Sequence, residues 1–123
     1  MFPRPGAAGA ICRPHPIDYP QGRVARQMFT GVLEIDLLLG DVHSLKHKRS
    51  VLRPILAELR RFSVSAAEVG HQDLHRRALI GVGLVGPDAG HVGEVLDRCE
   101  RTAAGHPEVE LLSVRRRLWG PED

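Results

Sequence analysis

An α+β domain with the element order βαββαβ is what residues 28–123 predict, and three observations carry that prediction. Apolar residues alternate at period two in the flanking and middle stretches. Between these lie two stretches with apolar residues at helical spacing, and turn-forming residues separate the segments.

Strand one begins at Phe29, where Leu33, Ile35, Leu37 and Leu39 face one way and Glu34 and Asp36 the other, and it ends at Gly40-Asp41. Ser44 is the N-cap of helix one, whose apolar positions are Leu45, Leu52, Ile55, Leu56 and Leu59. Pro54 removes one backbone donor inside it, yet the stripe continues on both sides to about Arg61. Phe62–Val69 reads as strand two, His71–His75 as a connection, and Ala78–Val85 as strand three with Ile80, Val82 and Leu84 on one face. Asp88 caps helix two, with Val92, Val95, Leu96, Cys99 and Ala103 as its buried stripe, and Gly105-His106-Pro107 stops it. Val109–Arg117 is strand four. Two β-α-β units joined through a hairpin connection give the ferredoxin-like fold, a four-stranded antiparallel sheet with both helices on one face.

Composition limits the function classes. Of 123 residues, 42% are hydrophobic, but the aromatic residues are Phe2, Phe29, Phe62, Tyr19 and Trp119 alone, so the core is aliphatic. No apolar run approaches the roughly 18 residues of a membrane span. Cys12 and Cys99 stand far apart in dissimilar segments, which argues against a disulfide or cysteine–metal framework and for a cytoplasmic setting. Residues 1–27 carry four arginines against one aspartate and five of the nine prolines, without an apolar period. They read as a disordered arm, or as an upstream mis-start before a natural Met28. The domain itself is near neutral, so bulk charge does not argue for nucleic-acid binding.

Several motifs have competing readings. Gly81-Val-Gly83-Leu-Val-Gly86 spells the G-x-G-x-x-G of dinucleotide sites, but its first two glycines lie inside a strand, so no cofactor is expected. His71-x-x-x-His75 would put two metal ligands on one helix face, but it falls in a turn with no third ligand, so no metal is expected. No serine or cysteine has a matched base, and nothing supports an enzyme. Lys46, His47, Lys48 and Arg49 break a local rule: they place cations at the positive pole of helix one. Their compensation is either internal, by Asp41, Glu68 or Asp73, or external, by a phosphate or other anion meeting Lys46, Lys48 and Arg49. Arg115-Arg-Arg117 beside Trp119 is either a charged strand edge or a place to stack a base. The open sheet face holds Glu34, Asp36, Leu79, Gly81 and Gly83 and no aromatic platform, so it suits a second subunit better than RNA bases.

The strings Ser44-Leu-Lys-His-Lys-Arg49, Phe62-Ser-Val-Ser-Ala-Ala-Glu68 and Gln72-Asp-Leu74 followed by Arg77-Ala78 resemble the bacterial YlxP-like family, from Met28 to about Val114. That resemblance implies a ferredoxin-like fold. The family's genes often sit among those for translation initiation and ribosome maturation, which implies a ribosome-linked role. The sequence departs at His75, where relatives often carry tryptophan after the Asp-Leu pair. A non-enzymatic accessory protein associated with the ribosome or RNA is therefore the leading expectation. A homo-oligomeric module associating through the open sheet face is the alternative. A chain starting at Met28 is expected to melt within about 5 °C of the full chain, and a larger drop in a thermal melt would show that residues 1–27 pack on the domain.

Overall fold

Alternation along Phe29–Leu39 makes β1 the centre of the molecule: Leu33, Ile35, Leu37 and Leu39 are fully buried while Val32, Glu34, Asp36 and Leu38 turn to the other face. The computed structural model describes residues 27–123, and the expected disordered arm lies outside the described residues apart from Gln27. After β1 come α1 (Leu45–Arg60), β2 (Ser65–Gly70), β3 (Arg77–Gly86), α2 (Ala89–Ala104) and β4 (Val109–Trp119). The sheet order is β2-β3-β1-β4 with every pairing antiparallel, which is the ferredoxin-like arrangement. Among the described residues, no helix is long and apolar enough to cross a membrane.

Both helices are capped as their sequences require. Ser44 Oγ accepts from the His47 amide at 3.0 Å, and Asp88 Oδ1 accepts from the Gly90 amide at 3.1 Å. Pro54 lies within α1 without ending it. The inward stripes interlock as one cluster: Leu52, Ile55 and Leu59 from α1, and Val92, Val95, Leu96, Cys99 and Ala103 from α2, against the inward residues of the sheet. Burial raises the pKa of the Cys99 thiol, so this cysteine is an inert core residue.

The boundaries differ from the expected ones in instructive places. β2 starts at Ser65 and not at Phe62, because the amides of Arg61, Phe62 and Ser63 fold back onto the carbonyls of Glu58, Leu59 and Arg60. Ser63 then takes a left-handed conformation, φ 63°, before the chain can extend. β4 runs two residues past Arg117, since Thr30 and Gly31 offer partners to Trp119 and Leu118. A register shift opposite Asp36/Leu37 leaves Leu112 as an extra residue in β4.

Gly81, Gly83 and Gly86 all lie within β3, so the G-x-G-x-x-G string is strand and not a phosphate-binding turn. Of the sheet glycines, Gly31 has the tightest surroundings. A Cβ there would come within 2.6 Å of Val92 and 2.9 Å of Leu96, so its absence lets α2 approach β1. On the open face, a Cβ at Gly83 would meet nothing closer than 3.9 Å. Gly31→Ala should therefore destabilise the domain by about 1–3 kcal/mol, while Gly83→Ala should stay within about 0.5 kcal/mol of the parent or gain slightly. Urea denaturation of the two variants checks the contrast.

Candidate functional site

Around the start of α1, four cationic or titratable side chains follow each other, and the helix separates them by angle. Lys48 lies at the head of the series Lys48, Leu52, Ile55, Leu59, whose spacing of four, three and four residues defines the buried stripe. Lys46, His47 and Arg49 lie off that stripe and are exposed. One basic run is thus divided between the core and the surface.

Lys48 is 1% exposed. Its ammonium meets Glu68 Oε2 at 2.6 Å and donates to the carbonyls of His71 and Leu74 at 2.7 Å each. Three acceptors match its three donors, which is the condition for burying a lysine charged. Glu68 comes from the inward side of β2, in phase with Val64 and Ala66. Oε2 is buried and meets no group but this ammonium. The two carbonyls belong to the β2–β3 connection, where His71 takes φ 56° and the Leu74 amide bonds back to His71 O at 3.0 Å.

This corrects the expectation for Lys48: it is a structural cation, enclosed and saturated, and it is not free to meet an external anion. Of the three carboxylates considered as internal partners, Glu68 takes that role. Asp41 instead lies 2.7 Å from His43 on the surface, and Asp73 is exposed in the turn. Lys46 and Arg49 have no acidic partner among the described residues.

The exposed face of α1 extends farther than the initial run. Lys46, Arg49, Arg53, Arg60 and Arg61 fall on one side of the helix, over about 22 Å at 1.5 Å per residue. Arg53, Arg60 and Arg61 were not among the residues singled out from sequence, although Arg53 follows Arg49 by four residues and Lys46 by seven, and Arg60 follows Arg53 by seven. The one acid of α1, Glu58, is turned away and approaches His106 at 3.2 Å. Arg60 also spans to β2, donating to Ala66 O through Nε and Nη2 at 3.2 and 2.8 Å. Beside the stripe, Arg49, Leu52, Arg53, Leu56, Arg60 and Glu68 line a groove of about 300 Å³ with an apolar floor and a basic rim.

The remaining candidates are arranged otherwise. His71 and His75 sit on a turn, and the His71 ring lies 3.8 Å from Asp36 on the open sheet face. Asp36 is gripped there by Arg77, 2.7 Å from Nη2 to Oδ2. Glu34, 4.0 Å from Arg115, is a solvated strand position. Arg116 turns to the helix side and meets Asp97 at 2.7 Å and Glu100 at 3.5 Å. Arg117 lies over the Trp119 ring, 5.2 Å from its centroid.

The class of protein is thus a small ferredoxin-like domain in which a buried lysine–glutamate pair fastens α1 and a helix face whose charged residues are all cations looks outward. The chain belongs to the family described as "Protein of unknown function (DUF503)", which matches residues 30–116. It is 32% identical over 90 residues to the uncharacterized protein YlxP of Bacillus subtilis (strain 168), covering 72% of this chain and 97% of that one. Among solved structures it is similar to the de novo designed protein Foldit4, with a TM-score of 0.47, 15% identity and coverage of 74% and 96%. It is also similar to LarC2, the C-terminal domain of a cyclometallase involved in the synthesis of the NPN cofactor of lactate racemase. There the TM-score is 0.35, with 16% identity and coverage of 75% and 56%.

Removing the ammonium strands a carboxylate and two carbonyls, so Lys48→Met should cost roughly 3–5 kcal/mol. Adding Glu68→Leu should recover part of that loss, leaving only the carbonyls without a donor. Chemical denaturation of the single and double variants checks both statements.

Proposed function

We propose that this protein is a non-enzymatic cytoplasmic accessory factor that docks on folded RNA, that of the ribosome included, through the outward face of α1. One observation carries the reading: Lys46, Arg49, Arg53, Arg60 and Arg61 lie along one side of α1 as a cationic ridge that no carboxylate interrupts. The contrast with α2 gives this weight. On that helix Arg98 pairs with Glu94 at 3.0 Å, and Asp97 and Glu100 meet Arg116, so charge is matched locally.

Lys46 and Arg49 also stand beside the N-terminal pole of α1, where free amides add positive potential and internal repulsion is uncompensated. A phosphate backbone relieves that repulsion and accepts from the guanidinium forks. The length of the ridge suits several consecutive phosphates or the edge of a duplex groove, recognised by shape and backbone and not by stacked bases. The open sheet face supports this division of labour, because its central strands present Glu34, Asp36, Leu79, Gly81 and Gly83 and no aromatic ring. The apolar-floored groove beside Arg49 and Arg53 would take a ribose or an unstacked base next to a held phosphate.

The test is the triple variant Lys46→Gln, Arg49→Gln, Arg53→Gln. It should melt at the parental temperature or slightly above, since these cations oppose their own helix pole. It should lose co-sedimentation with ribosomes or structured RNA, and its log–log salt slope should flatten by about 0.7–0.9 for each phosphate contact removed. Unchanged association at low and moderate salt would rule the ridge out as the binding surface.

A further inference from the structure

The two edges of the sheet are finished differently. On β2, the carbonyls of Ala66 and Glu68 are two residues apart and so point to the same side of the strand. Both already accept side-chain donors: Arg60 at 3.2 and 2.8 Å on Ala66, and Gln72 Nε2 at 3.2 Å on Glu68. The β3 ladder leaves no room for a guanidinium, so these are the outer carbonyls, and that edge is closed against further pairing.

The β4 edge lacks any such cover. Among the described residues, no side chain hydrogen-bonds to a main-chain group of Val109–Trp119. Eleven residues of strand edge, with Leu112 and Leu118 exposed, are a template for another strand. Charge along the edge is polarised. Glu108 and Glu110 stand at its start, and Arg115, Arg116 and Arg117 near its end.

Three of these charges, Glu108, Glu110 and Arg117, lack an opposite partner among the described residues, and the last two lie within the strand. Arg115 lies near Glu34, and Arg116 is held by Asp97 and Glu100. Glu110 and Arg117 form no ion pair among the described residues. Both lie on the open side of the sheet, being level with Leu38 and Val32 of β1.

We propose that β4 pairs antiparallel with β4 of a second copy of this chain, about a two-fold axis near Val114, to make one eight-stranded sheet. Antiparallel self-pairing lays the acidic start of each strand against the basic end of the other. With Leu112 accommodated as the extra residue, an axis at Val114 brings Glu110 of each copy opposite Arg117 of the other, on the same face. Val109 then meets Leu118 across the helix side. The same Arg residues and bulge could serve only to repel strands, as edge charges often do. Repulsion would need charge of one sign, however, whereas this edge reverses sign along its length and is complementary to itself. The inference uses residues separate from the α1 ridge, so either can fail alone.

Sedimentation analysis of the full chain over a concentration series tests it. The parent should dimerise, and Glu110→Arg or Arg117→Glu alone should each weaken dimerisation about tenfold or more, because two-fold symmetry makes both pairs repulsive at once. The double reversal, Glu110→Arg with Arg117→Glu, should return the dissociation constant to within about threefold of the parent. Three results would overturn the proposal: a parent that stays monomeric to about 100 µM, a dimer indifferent to either reversal (as an open-face dimer would be), or a double variant no tighter than the singles.

Discussion

The buried ammonium of Lys48 is the one charged group sealed in the core among the described residues, and it joins three pieces of chain. Its backbone belongs to the first turn of α1, its anionic partner to β2, and its two carbonyl acceptors to the connection leading into β3. Apolar packing is indifferent to small slides of a helix along a sheet, whereas a saturated lysine has one geometry that satisfies all its donors. The pair therefore sets where α1 lies along β2, and through it where the outward cations of α1 project. The exposed cations of this helix are aligned by a charge that never reaches the surface.

That arrangement explains why the ridge can exist on a nearly neutral domain. Acids are not scarce: Glu94, Asp97 and Glu100 line α2, and Glu108 and Glu110 start β4. They are concentrated on the half of the molecule built from α2 and β4, while α1 keeps its one acid turned toward His106. The charge asymmetry follows from which helix covers which pair of strands.

Much of the fold was legible because Leu33, Ile35, Leu37 and Leu39, and the stripes of the two helices, are spaced by geometry alone. The start of β2 was not, since nothing in Phe62-Ser-Val-Ser announces that Ser63 will turn left-handed and delay the strand. In the site, the rule broken at the start of α1 was a sound signal, but it was applied to a run of residues and not to their angles. Lys48 lies four residues before Leu52 and is in phase with the core, and Glu68 is in phase with Val64 and Ala66. Two opposite charges at inward positions of adjacent elements are a pairing that parity can reveal. Arg53, Arg60 and Arg61 escaped notice because they are remote in sequence from Lys46 and become neighbours only once the helix turns.

The burial of Lys48 also governs how the molecule presents itself to amine chemistry. Lys46 and Lys48 are the chain's two lysines. With Lys48 sealed behind Glu68 and two carbonyls, acylating reagents, crosslinkers and lysine-modifying enzymes meet just one side-chain amine on the folded domain, and it stands within the cationic ridge. Coupling through that amine would mask the cationic ridge, so an attachment chemistry for this protein has to come from elsewhere on its surface.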